Sequence, residues 1–428
     1  MYLLYDSDYI IRIVSTKPVK SEGLGIVSVP NNQNWNKQIY KKLPRKIAEQ
    51  IGAKVKKNHS ELRIAVICNW KDKCGISTYS QFLVDSLRKQ VKDIAIFSEH
   101  VEGNIDIQEK GMIRCWKRGE DVHELINLVK DYAPDFIIIQ HEYGIFPNAF
   151  KFMQLMQSFD KIPYVVVMHS VYKHLDKAVY SESAKNIIVH TNEAKKTLKE
   201  VGNTSNTYVI PHGCISFKDT NELWNICTNP YTILQFGFGF SYKGVDRALM
   251  AVAQLKSMEK KYQNMQYIYL CSTNSHNLAA NAEYCKRLMT LAKELDIEKN
   301  IVIIQKYQTE EMINLYLRLA KIAIFPYVID PSNEVFGASG AIRIALANKR
   351  PVLASESHLF DDLEGIIPRP KNHIELANEI NKIFNSKEHR DSIVENGYKF
   401  VQDNNWDICA KKYLEVYDLI VSNACEIQ

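Results

Sequence analysis

Paired cysteines, long apolar runs and glycine-rich nucleotide fingerprints are missing from this sequence, and each absence excludes something. The nine cysteines, at 68, 74, 115, 214, 227, 271, 285, 409 and 425, are odd in number and scattered, with no CxxC spacing. That argues against a disulfide framework or a zinc cluster and for reduced thiols in a cytoplasmic protein. The apolar stretches are strand-sized, such as 136–139 and 164–168, far short of the roughly 18–20 residues of a membrane-spanning helix. Acidic residues at Asp6 and Asp8, with no small-residue cleavage site after them, give no sign of a secretory signal. With 17 Gly and 13 Pro in 428 residues, collagen-like and low-complexity chains are excluded. Neither GxGxxG nor GxxxxGK[ST] occurs, which counts against a dinucleotide oxidoreductase and a P-loop protein. No charge sign dominates the chain, whose net charge is +5, so no nucleic-acid partner is expected.

What is present is an ordinary globular composition, 46% hydrophobic and 24% charged, long enough for two or three domains. The charge is unevenly placed. Residues 1–60 hold 11 basic and four acidic side chains, a surplus of +7, and the remainder is −2. In this segment Lys37, Lys41, Lys42, Arg45, Lys46, Lys54, Lys56 and Lys57 flank Ile39, Leu43, Ile47 and Ile51. The spacing of four suits an amphipathic helix, with Pro44 in its first turn or breaking it. Such a segment is either a solvated accessory helix or a contact with an acidic partner or an anionic membrane.

From residue 61 the pattern is regular. Short apolar runs at 63–68, 93–98, 135–140, 164–169, 186–191 and 207–211 read as buried strands separated by helix-period segments, such as 77–87. A second series follows at 232–236, 266–272, 300–305, 322–326 and 351–355, with helices near 244–262, 279–295, 309–320 and 340–347. Strands alternating with helices predict an α/β fold of two Rossmann-like, doubly wound parallel-sheet domains. We place the first at 61–213, a linker at 214–230 and the second at 231–404, after a basic accessory segment at 1–60. In such sheets ligands bind beyond the carboxyl ends of the strands, so with two domains the central cleft is the expected site.

Several strand ends carry candidate chemistry. Gly75, in Lys73-Cys74-Gly75-Ile76-Ser77-Thr78, allows close backbone approach, with Ser77 as the expected helix cap; the alternative is a plain turn. Gln140-His141-Glu142-Tyr143-Gly144 ends an apolar strand with groups able to share a proton or bind sugar hydroxyls. His169 ends another strand, and His190-Thr191-Asn192-Glu193 reads as a strand end with Thr191 or Asn192 capping a helix. Pro211-His212-Gly213 closes the first half. Gly237, Gly239 and Gly244 surround Lys243, a point charge suited to phosphate. Ser339, Gly340 and Ala341 open a helix whose amides suit a diphosphate. Asp6-Ser7-Asp8 is not expected to bind metal, and Asp361-Asp362 reads as surface.

In order and spacing, QHEYGIF, VIPHG, FGF…YKGVDRAL and SGAIRIALANKRPVLAS together resemble the GT-B glycosyltransferases, specifically retaining glycosyltransferase family 4, over about residues 62–422. Trp406, Tyr413 and Tyr417 resemble the last helix of that family, so 405–428 is expected to cross back onto the first domain. The resemblance implies a nucleotide-sugar donor held by the second domain and a glycan or lipid-linked acceptor held by the first. It also implies transfer with retention, no required metal or other cofactor, and a place in polysaccharide biosynthesis. Carried residue by residue, Lys243 matches the diphosphate contact, and Ser339, Gly340 and Ala341 match the phosphate-binding amides. His169 matches the contact to the transferred sugar, and Gly75 the first-domain glycine loop. Lys243, His169 and Glu142 are the expected catalytic residues. Gly75, Gly237, Lys243, Ser339, Gly340, Ala341 and Arg343 are expected at the donor, and His141, Glu142 and Tyr143 at the acceptor.

The sequence also departs from that pattern. Phe238 stands where the family often has Arg, and the second of its two spaced Glu falls on Ile344 or Ile342. Arg343 either supplies the lost charge or is an exposed helix arginine. The rival readings are a catalytically inactive GT-B scaffold and a sugar-nucleotide epimerase or phosphorylase. The expected location is cytoplasmic, with peripheral contact at the inner membrane face as an option.

Overall fold

The computed structural model describes residues 2–6, 9–13, 57–100, 111–175, 184–215, 229–272 and 278–423. The basic stretch 39–51 and most of the expected linker lie outside the described residues. Strands β1 (Tyr2–Asp6) and β2 (Tyr9–Ile13) form an antiparallel hairpin.

The first half is built on β3 (Arg63–Cys68), β4 (Asp93–Glu99), β5 (Met112–Trp116), β6 (Phe136–His141) and β7 (Tyr164–Met168). After a two-residue strand β8 (Ser170–Val171) come β9 (Asn186–Val189) and β10 (Asn206–Val209). Apart from β8 these make one parallel sheet in the order β10-β9-β7-β6-β3-β4-β5. Helices α1 (Gly75–Leu87), α2 (His123–Tyr132), α3 (Ala149–Ser158) and α4 (Asn192–Glu200) lie between the strands. Central strands such as β6 are buried at every position, as a sheet covered on both faces requires.

The second half has β11 (Thr232–Phe238), β12 (Gln266–Ser272), β13 (Ile301–Ile304), β14 (Ile322–Phe325), a short β15 (Phe336–Gly337) and β16 (Val352–Ala354). Without β15 they form a parallel sheet ordered β13-β12-β11-β14-β16. Its helices are α5 (Val245–Met258), α6 (Leu278–Glu294), α7 (Glu310–Leu319), α8 (Gly340–Ala347), α9 (His373–Asn385) and α10 (Lys387–Asp403), followed by α11 (Trp406–Asn423). Both sheets have the same winding. Strand order reverses between β3 and β6 in one and between β11 and β14 in the other, and these are the points where open α/β sheets leave a crevice.

Every strand expected from the apolar runs is present, with ends within two residues. The strands not foreseen are β1, β2, β5, β8 and β15. Strand β5 is a sheet edge whose Ile113 is exposed, so it lacks a continuous apolar signature. Strands β8 and β15 pair with each other, antiparallel, Ser170 with Gly337 and Val171 with Phe336, and so join the two halves through backbone. Phe336 is 4% exposed and sits in the core of the first half.

Helix α11 returns to the first half. Trp406, Tyr413, Leu414 and Tyr417 share a core with Tyr79, Leu83 and Phe136, and the Tyr79 and Tyr413 hydroxyls lie 2.7 Å apart. The amide of Cys214 donates to the Asn404 carbonyl at 2.8 Å, which ties the end of the first half to the approach of α11. Among the described residues no helix is long and apolar enough to cross a membrane.

Candidate active site

The second half brings a buried cation to its switch point. Gln235, inside β11, donates to the Lys243 carbonyl at 2.8 Å and accepts from the Tyr267 hydroxyl at 2.7 Å, which anchors the main chain there. Gly244 then turns into α5 with φ +64°. A Cβ at that position would fall 1.9 Å from the Pro326 carbonyl oxygen, so only glycine fits. The Lys243 side chain is held in consequence: it is 9% exposed, and its Nζ donates to the Tyr327 hydroxyl at 2.8 Å. The ammonium lies 4.0 Å from the Tyr327 ring centre and 4.7 Å from that of Tyr242. Among the described residues no carboxylate pairs with it. Gly237 runs alongside, where a Cβ would be 3.8 Å from the lysine Cε.

Helix α8 starts nearby, with Ser339 as its cap residue. The expectation of three free amides is corrected for one of them, because Ser339 N–H donates to the Leu359 carbonyl at 3.1 Å. The first-turn amides of Gly340 and Ala341 remain without intrahelical partners by the geometry of a helix start. Arg343 is not an exposed helix arginine. It is 1% exposed, donates to the Ser339 carbonyl at 2.7 Å, and forms an ion pair with Asp362. Its charge is thus matched inside the protein by Asp362. Asp361 and Asp362 are likewise no surface pair: Asp361 meets His358 at 2.8 Å and Arg369 at 3.2 Å.

The first half presents mainly neutral groups. Helix α1 begins at Gly75 rather than at Ser77, and its cap is the Cys74 sulfur, which accepts from Ser77 N–H at 3.3 Å. Burial pushes the Cys74 thiol up to about 11, so the cap is an uncharged thiol. Gly75 has open space where a Cβ would be. His141 does not face an acceptor. It is 1% exposed, packed against Phe146 and Phe152, and burial holds its imidazole down at about 3. Tyr143 packs edge-on against His141 and Tyr172. Glu142 accepts from the Ser170 hydroxyl at 2.7 Å and from Tyr143 N–H at 3.1 Å, and burial raises its carboxyl above the usual range.

His169, His190 and His212 gather around Tyr79, with ring centres 4.7, 5.3 and 4.9 Å from it. Burial, then neighbouring imidazoles, holds His169 well below its usual value. For His212 the cause after burial is the Arg343 charge, and His190 is pushed by burial to about 4. His169 Nε2 lies 2.8 Å from Gln140 Oε1; as the amide oxygen only accepts, the imidazole donates there. His190 bonds through Nδ1 to the Ile210 carbonyl at 3.0 Å, a structural role, and Thr191 caps α4 by accepting from Ala194 N–H at 3.1 Å. The two halves meet at these residues. A Cβ on Gly340 would lie 3.1 Å from His212 Nε2, and one on Gly337 would fall 2.4 Å from the His169 carbonyl oxygen.

The arrangement therefore brings His169, Glu142, Ser339, Gly340 and Lys243 to the junction of the halves, with Gly75 at a first-half helix start. His141 and Arg343 lie beside this junction but are enclosed within the protein. Tyr327 was not foreseen, Gln140 was quoted only within its strand-end motif, and Asp362 was read as surface. Tyr327 and Gln140 are polar groups at strand ends, and that position was the available signal. Among the described residues no group of three or more His, Cys, Asp or Glu side chains could hold a metal ion.

Residues 217–400 match the family model described as Glycosyl transferases group 1. The chain's fold is similar to that of Anabaena Alr3699/HepE, solved with UDP and glucose, at 14% identity and TM-score 0.65 over 84% of this chain and 100% of that one. A glycosyltransferase from Rickettsia africae gives 15% and 0.66 over 85% and 99%. An α,α-trehalose-phosphate synthase (UDP-forming) from Burkholderia xenovorans, solved with glucose-6-phosphate, gives 12% and 0.61 over 84% and 100%. These likenesses show the GT-B fold.

Proposed function

We propose that this protein transfers a sugar, with retention of anomeric configuration, from a nucleoside-diphosphate sugar to a glycan or lipid-linked acceptor. The observation that carries the reading is Lys243, a buried ammonium with no carboxylate partner among the described residues, at the crevice of the second sheet beside the start of α8. A buried cation in that state is balanced best by an anion from outside. A diphosphate would receive the lysine charge from one side and the Gly340 and Ala341 amides from the other. That UDP is bound by Alr3699/HepE supports the same class of donor here.

As the bond from the anomeric carbon to the phosphate oxygen breaks, negative charge grows on the leaving diphosphate. Lys243 and the helix start stabilise it where it forms. His169, neutral and oriented by Gln140, lies on the first-half side, where it would hold a hydroxyl of the transferred sugar. Among the described residues no side chain is placed as an evident covalent nucleophile, so the acceptor hydroxyl would attack from the face that the phosphate leaves, passing its proton to a phosphate oxygen. Glu142, with its raised carboxyl, would hold an acceptor hydroxyl. The reaction is proposed to need no metal, and EDTA is expected to leave the rate within about twofold, since among the described residues no metal-ligand cluster serves the leaving group. Loss of activity restored by Mn²⁺ would overturn that.

A thermal-shift series with UDP, GDP and ADP tests the donor class. A bound nucleotide raises the melting midpoint with concentration, and no response to any of the three would remove the reading. A second reading, an inactive sugar-nucleotide binder, is favoured by Ile342, which is fully buried and apolar at one position where the resemblance implies a ribose-binding acid. Hydrolysis of a bound donor in water separates the two. The +7 surplus of residues 1–60 would place the enzyme at an anionic bilayer. Co-sedimentation with anionic vesicles at low salt, lost at about 0.5 M salt, is the expected result.

A further inference from the structure

We propose that Tyr327 is the positioning residue of the donor site: its hydroxyl links the Lys243 ammonium to the start of α8, so that a diphosphate meets both in fixed register. This rests on the reading of Lys243 as the phosphate contact. Tyr327 lies two residues beyond β14, the strand beside β11 at the switch point, so topology brings it to Lys243 across 84 positions of sequence.

The hydrogen bonding has a direction. An ammonium only donates, so at 2.8 Å the Tyr327 oxygen is the acceptor from Lys243. The phenol proton must go elsewhere, and Ser339 Oγ lies 3.3 Å away. Ser339 is the cap residue of α8, yet its side chain makes no capping bond to its own helix. The row therefore runs from Lys243 to Tyr327 to Ser339. Burial raises the Tyr327 phenol above its usual value, which keeps it protonated and neutral beside the lysine. The ring itself cannot drift: it is 1% exposed, 4.8 Å from the Phe360 ring centre, and edge-on to Tyr242 at 5.7 Å. A rigid aromatic thus holds the end of a flexible four-carbon side chain before any ligand arrives, and such preorganisation makes a charge effective on a transition state.

Isothermal titration of the full chain with UDP, GDP and ADP decides the matter, using wild type, Tyr327→Phe, Lys243→Met and the double variant, each also melted without nucleotide. Tyr327→Phe removes one oxygen and keeps the ring. It is expected to weaken the best-bound nucleotide about tenfold, the loss typical of a hydrogen bond to a charged group, while the melting midpoint stays near that of wild type. The double variant is expected to bind no more weakly than Lys243→Met, because the two residues act as one unit. Wild-type affinity in Tyr327→Phe with a clear loss in Lys243→Met overturns the positioning role and leaves the reading of Lys243 standing. Additive losses overturn it as well. Wild-type affinity in Lys243→Met, or no binding by wild type, overturns both. If Tyr327→Phe melts early, Ser339→Ala breaks the far end of the row without touching the ring. It is then expected to weaken binding about twofold to fivefold, and unchanged affinity there overturns the proposal.

Discussion

The two halves share a winding and differ in what they bring to the junction. The first half contributes mainly uncharged groups: three imidazoles held neutral by burial first, and then by neighbouring imidazoles or the Arg343 charge, an amide and a thiol cap. The second contributes a lysine with no acid beside it among the described residues, and a helix start. The same architecture can therefore be tuned, by a handful of strand-end residues, either to hold hydroxyl-rich neutral matter or to receive an anion. On that difference rests the assignment of sugar to one side and phosphate to the other.

The contrast can be broken most severely through the second half's internal charge. Arg343→Met leaves the Asp362 carboxylate buried without its partner, which typically costs about 3–5 kcal/mol. A large fall in melting midpoint is expected, and an unchanged melt would mean that the pair contributes nothing. Lys243→Ala is expected to lower the transfer rate on the order of 10²–10³ with the fold retained; a rate within about threefold of wild type would sink the lysine's role.

Acid tests the first half. His190 is held at about 4 and His169 and His212 well below the ordinary value, whereas unfolded histidines titrate near 6.5. The unfolded chain thus binds more protons below pH 6.5, and stability falls as pH drops from there towards about 4. Each histidine contributes about 1.4 kcal/mol per pH unit at the steep part of this range. Melting midpoints between pH 7.5 and 4.5 should show this slope, and His190→Asn should make it shallower. An identical slope would show that His190 is not among the titrating groups. The smallest effect is expected at the half-exposed Lys173–Glu334 ion pair between the halves, 3.4 Å long. Lys173→Ala should change stability by less than about 1 kcal/mol, and a larger loss would mean that this contact, and not the backbone pairing, holds the halves together.

Much of the fold was legible because a buried parallel strand leaves a short apolar run that little else in a sequence imitates. The exposed edge strand β5 and the two-residue strands β8 and β15 leave no such run. At the site, Lys243, Ser339 and His169 could be picked out because each stands at a strand end or helix start within a local pattern. What escaped depends on separation in sequence. Asp362 lies 19 residues from Arg343, and Tyr327 lies 84 from Lys243. Burial likewise turned His141 and Arg343 inward, though their types and positions suggested the cleft. The Cys74 cap was missed for a chemical reason, since sulfur stands where an oxygen is usual.

The pairing of β8 with β15 limits how the two halves can be exchanged. A protein engineer who swapped second halves between relatives by cutting within 214–230 would also be transplanting Phe336, whose socket lies in the half left behind. The graft would carry a plug without its hole, and the mismatch would fall one residue from His169. The second half of this chain is therefore not a cassette: any chimera that keeps the geometry around that histidine must move 170–171 together with 336–337.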